Sequence, residues 1–168
     1  MMDKDMAVML ARYCRWADQV MFDALAKLPE GEVYRVRKTL FRTMVGTLNH
    51  NFLIDVIWKS HLLGVAHGFG NRREVLHPTL EGLAAAQAEM DGWFIDWAGR
   101  QDGGTLGEVV RFRFISGREA EMSRGAIFMH LVTHKNYHRG WVAEMMFDTV
   151  DKAPDMDLSV FLGEGHGG

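Results

Sequence analysis

Three histidines recur at four-residue intervals near the end of the chain: His130, His134 and His138. On a helix, each such step turns the side chain by about 40° and raises it by about 6 Å, so neighbours in the series face the same way. Two imidazoles one turn apart can converge on a single metal ion, as the H-x-x-x-H pair of zinc proteases does. The full series spans about 12 Å, too far for all the rings to reach one ion, so a third ligand has to come from elsewhere. His50, in Thr47-Leu48-Asn49-His50-Asn51-Phe52, is the candidate. It has Gly46, Leu53 and Ile54 at helical spacing and therefore points at or near an interior. A buried imidazole without a partner costs about 1–3 kcal/mol, which either a shared ion or a core hydrogen bond would offset. Spacing alone leaves two questions open. The pair is either His130/His134 or His134/His138, and His50 is either a ligand or a hydrogen-bonded core residue.

The chemistry of such a set is specific. Three neutral imidazoles with a free fourth position characterise catalytic rather than structural sites. An ion held that way lowers the pKa of bound water toward neutrality or binds a thiol as thiolate. Imidazole suits zinc, nickel, copper and iron alike. His61, His67 and His77, at or near a glycine-rich stretch, and His166, near the end, read as solvated residues.

Helices must position these rings. Apolar residues from Met6 to Leu28 repeat at helical spacing, and Pro29-Glu30-Gly31 stops them. Residues 29–38 read as a connector ending in the basic cluster Arg35, Arg37 and Lys38. Thr39 is placed to cap a second helix running through Leu40, Met44, Leu48, Phe52 and Val56 to about Leu62. Gly64 to Pro78 is a loop long enough to be of functional interest. Thr79 caps a third helix, closed by Gly99 and Gly103-Gly104. Val109 to Phe114 includes a period-two segment, Ser116-Gly117 is a turn, and residues 118–122 return as a short strand. Ser123 caps a last helix from about Arg124 to Phe147, and residues 149–168 read as a C-terminal tail. The expected fold is all-α: a four-helix bundle with a small β-hairpin before the last helix, lying over one end.

Length and composition narrow the function classes. The 168 residues suit one ordinary domain, and a 48% hydrophobic share suits a packed core. A lone cysteine, Cys14, permits no intrachain disulfide and points to a reducing, cytoplasmic setting. It reads as a small buried hydrophobe rather than a nucleophile. The net charge of −3 shows no basic excess, which argues against nucleic acid as a partner. No apolar run reaches the roughly 20 residues of a membrane helix, which argues against a membrane partner.

Two strings carry a family resemblance. Leu131-Val132-Thr133-His134-Lys135-Asn136-Tyr137-His138-Arg139-Gly140 resembles the last-helix motif of the DinB-like family: a histidine, three residues, then His-Arg-Gly. Gly46-Thr47-Leu48-Asn49-His50 resembles its second-helix motif, and Tyr13, Trp16, Ala17 and Asp18 its aromatic start. The resemblance implies a four-helix bundle, often a homodimer, with a divalent metal on three histidines. Carried over by position, the ligands are His50, His134 and His138. Relatives in that family include thiol-dependent transferases, so the implied activity is thiol transfer or hydrolysis on a small molecule. The implied ion is zinc or nickel, with a low-molecular-weight thiol as cosubstrate. The family commonly follows His-Arg-Gly with Gln, where this chain has Trp141.

Further residues take roles around that centre. His130, one turn before His134, is placed either to move a proton as a catalytic residue or to make a core hydrogen bond. Arg139 points about 100° away from His138 and should pair with an acid elsewhere. Gly140 would admit a neighbouring helix, and Asp18 would orient a ligand imidazole or sit in solvent. Arg111 and Arg113 fit either an anionic substrate or an exposed strand face, and Trp93 and Trp97 fit the core. The competing reading is a non-catalytic bundle, its histidines structural or core, serving binding or dimerisation.

Overall fold

A computed structural model describes residues 2–166. Helix α1 spans Lys4–Leu25, opened by Asp3, whose carboxylate accepts from the Met6 amide at 2.8 Å. It stops before Leu28, since the residue preceding a proline disfavours helical backbone.

The start of the second helix departs from the sequence reading. Thr43, not Thr39, is its cap: the hydroxyl accepts from the Gly46 amide at 2.8 Å, and α2 spans Met44–Leu63. Arg42 has a left-handed backbone with φ 67°, which breaks any helix begun at Thr39. Leu40, expected on the inner face, is consequently exposed. Gly64, at φ 70°, ends α2.

Thr79 opens α3 (Leu80–Gly99) as expected, its hydroxyl accepting from the Gly82 amide. Gly103 and Gly104 do not close that helix. They begin a short α4 (Gly103–Gly107), because the Asp102 carboxylate accepts from the Thr105 amide at 2.8 Å. Strands β1 (Val109–Arg113) and β2 (Glu119–Ser123) pair antiparallel, with Val109 opposite Ser123 and Arg113 opposite Glu119. Arg111 and Arg113 face Glu121 and Glu119 on the exposed side, so they are cross-strand surface charges. Ser123 then caps α5, Arg124–Met146.

The expected tail is partly structured. Within it α6 (Leu158–Gly163) docks the buried Phe161 against Tyr13 and Trp16, with ring centroids at 5.8 and 5.6 Å. The Tyr13 hydroxyl donates to the Met156 carbonyl at 2.9 Å. Gly167 and Gly168 of that stretch lie outside the described residues.

Helix α1 packs on α3 and α2 on α5, giving an all-α bundle. The hairpin sits over the end of α2, where Phe112 meets Trp58 edge-on at 4.8 Å. Among the described residues no helix is long and apolar enough to cross a membrane. Cys14 is buried, and burial pushes its thiol up to about 12, which fits the inert reading.

One charged cluster ties the long helices together. Lys135 Nζ on α5 lies 2.7 Å from Asp18 on α1, 2.8 Å from Asp55 on α2 and 2.8 Å from Asp91 on α3. Gln87 Nε2 donates to Asp55 and Asp91, both at 2.9 Å. Arg139, almost wholly buried, donates to Asp18 at 2.8 Å, the acid partner its position implied. Three carboxylates meet two cations there. Burial raises the Asp55 and Asp91 carboxyls, Asp91 to about 7, so one proton held among them would balance the cluster. At Asp18 burial also raises the pKa, but Lys135 and Arg139 outweigh it and the net direction is down. Asp18 therefore braces α5 from inside the bundle; its carboxylate bonds cations, not an imidazole.

Candidate metal centre

On α5 the histidines and the charged cluster occupy neighbouring faces. A step of one residue turns the side chain by about 100°, so His134 and Lys135, or His138 and Arg139, point different ways. The inward cations anchor the helix, and the histidine face is thereby fixed toward α2.

Across the gap, His50 completes a cluster. The ring centroids of His50 and His134 are 5.1 Å apart, those of His50 and His138 4.7 Å, and those of His134 and His138 4.5 Å. One nitrogen from each lies within 4.8 Å of the others, a group able to hold a metal ion. Metal–nitrogen bonds of about 2.0–2.1 Å ask these atoms to draw in by about an ångström or less. His130 stays outside the group, its ring 5.7 Å from that of His134 and 4.9 Å from Trp58.

The electrostatics favour neutral rings with lone pairs free. Burial pushes His134 down to about 2, helped by His138 and His50. Burial and then His50 push His138 down to about 4, and burial lowers His50. The His50 Nδ1 lies 2.9 Å from the Arg72 carbonyl. A carbonyl only accepts, so Nδ1 carries the proton and Nε2 is left with its lone pair. Buried Nδ1 atoms of His134 and His138 have no hydrogen-bond partner. Orphaned nitrogens of that kind are costly in a core of packed side chains alone and suit an ion's neighbourhood.

Aromatic rings enclose one side. Phe41 stacks on His50 at 4.1 Å, and Trp141 meets His138 at 4.7 Å and Phe41 at 6.3 Å. Gly46 is what seats Phe41, since a Cβ there would overlap the Phe41 carbonyl. Gly46→Ala is expected to push the residue 38–43 loop outward, costing about 1–3 kcal/mol as overpacking does. The melting curve and the ion affinity should fall together; an unchanged affinity would mean that Phe41 does not shape the centre. Gly140, read as a close-approach residue, has open space around it and plays no such part.

The glycine-rich loop is bound over the centre. Asn49 accepts from the Leu76 and His77 amides at 3.0 Å and donates to the His77 carbonyl at 2.8 Å. Adjacent side chains on α2, Asn49 and His50, therefore clamp residues 72–77. His61, His67 and His77 are partly buried rather than solvated: His61 packs on Trp58 and Phe112, and His67 accepts from the Phe69 amide. Only His166 of that set is exposed.

A cavity of about 690 Å³ opens beside the cluster, with His134 and His130 in its lining. Its size falls within the range of small-molecule sites. Comparison of the sequence with known proteins places it in a family. The profile of the DinB family matches residues 1–162. The chain belongs to the DinB family. One relative, Protein DinB of Bacillus subtilis (strain 168), is 23% identical over 164 residues, covering 94% of each chain. The match spans all the long helices of this DinB-family chain, including those that carry the histidines.

Sequence reasoning passed over Phe41, the Arg72 carbonyl and the charged cluster. Asp55 was the available signal: a lone acid inside Phe52-Leu53-Ile54-Asp55-Val56-Ile57-Trp58 requires a buried partner.

Proposed function

We propose that the chain is a metal-dependent enzyme that transfers a low-molecular-weight thiol to a small molecule, or hydrolyses one. In this reading His50, His134 and His138 are the ligands of one zinc or nickel ion. The observation that carries it is the convergence of three neutral imidazoles at the edge of a cavity of about 690 Å³. An ion held there supplies the Lewis acidity that lets a thiol or a water ionise near neutral pH. The Arg72 carbonyl fixes the His50 tautomer, and Phe41 and Trp141 exclude water from one side. His130, on the cavity wall beside His134, takes up the proton released by the nucleophile and passes it to solvent. The His-x-x-x-His-Arg-Gly string supports thiol transfer and a homodimer, and the single buried cysteine supports a cytoplasmic setting.

Protein purified without a histidine tag is expected to carry about one ion per chain and to lose turnover on chelation. Turnover should return when zinc or nickel is added back. His130→Gln should retain the ion while kcat falls by about 10²–10⁴-fold. Full turnover in that variant would remove the proton-transfer role, and protein that binds no ion would remove the whole reading.

A further inference from the structure

We infer that the cavity beside the histidine cluster binds a small molecule with an apolar, preferably aromatic, body and one anionic end group. This rests on the proposed metal centre, which borders the cavity through His134. One part of the lining is carbon: Ile54, Ile57 and Trp58 from α2, and Phe114 from the hairpin. Another part carries three guanidinium groups, Arg72 and Arg73 from the clamped loop and Arg118 from the hairpin turn. All three are exposed, and among the described residues no carboxylate pairs with them. By contrast Arg37, Arg113, Arg124 and Arg139 each hold an acid. No aspartate or glutamate lines the cavity. Three cations without an acid partner around one cleft raise a positive potential that attracts anions.

Position strengthens the argument. Arg72 is held at the centre through its own carbonyl, which accepts from His50, and the Arg118 guanidinium lies 4.5 Å from the Phe114 ring centroid. Arg72 therefore leaves a backbone held at the proposed centre, and Arg118 lies on the aromatic wall of the same cavity. Guanidinium forks suit carboxylate and phosphate equally. A small hydrophilic anion would leave the carbon wall wet, and a neutral apolar molecule would leave the forks unused.

The test titrates 3-phenylpropanoate, phenyl phosphate and neutral 3-phenylpropanamide into zinc-treated protein by calorimetry. One or both anions are expected to bind at least about tenfold tighter than the amide. The variant carrying Arg72→Gln, Arg73→Gln and Arg118→Gln should lose that preference while its affinity for the amide holds. Whichever anion shows the preference identifies the end group. Equal affinities in the wild type, binding of none of the three, or a preference that survives in the variant would overturn the assignment. Metal content measured on the same samples keeps the two readings apart. Anion preference without a bound ion leaves the cavity assignment standing and removes the metal chemistry; a bound ion without the preference does the reverse.

Discussion

His134→Ala is expected to release the bound ion and abolish turnover while leaving the bundle folded. His134 lies 5.1 Å from His50 and 4.5 Å from His138 by ring centroid, and its removal leaves two donors on different helices. Loss of a residue that merely supports a ligand already costs about 10–100-fold in metal affinity, and loss of a ligand should exceed that. The side chain is only partly buried and neutral, so truncation strands no charge. The informative control is wild type with chelator. Both proteins should then melt together, because the variant loses only the stabilisation that ion binding adds. An ion retained at full occupancy in His134→Ala would defeat the ligand assignment.

The next residue should behave in the opposite way. Lys135→Met is expected to destabilise the fold by about 3–5 kcal/mol, because it leaves buried carboxylates without their cation. For a chain of this length that corresponds to a fall in Tm of about 6–20 °C. Asp55 and Asp91 are at most 2% exposed, so water cannot replace the lost ammonium. Combining Lys135→Met with Asp55→Leu and Asp91→Leu should recover most of the loss, since apolar groups of similar volume often match a buried ion network in stability. Thermal melts of the single and triple variants check this. A single variant that melts with the wild type would mean that the cluster does not hold the helices. On the expected results, one helix carries in adjacent residues a change that removes function without structure and a change that removes structure.

The contrast explains what could be read from sequence. Local signals placed α3 and α5 well, because Thr79 and Ser123 are caps whose hydroxyls bond amides three residues on. The same rule pointed to Thr39, whereas the cap is Thr43. The deciding fact, a left-handed Arg42 between Phe41 and the helix, depends on Phe41 seating against His50 and Gly46, which is a tertiary contact. Four-residue spacing showed that His134 and His138 share a face, but which pair meets His50 depends on how far along α2 the helices cross. The charged cluster was harder still. Asp18, Asp55, Asp91 and Lys135 are separated by up to 117 residues of chain (135 − 18), and only the packing of α1, α2, α3 and α5 brings them together. Arg139 was legible as a paired cation; its partner was not.

The most direct test of the central claim is an anomalous-scattering map of crystals grown from tag-free protein, recorded at the zinc and nickel edges. The expected result is one peak at about 2.0–2.1 Å from a ring nitrogen of each of His50, His134 and His138, with a further coordination position that no protein atom fills. A map with no peak among those rings, or with a peak closed off by four protein ligands, would contradict the account.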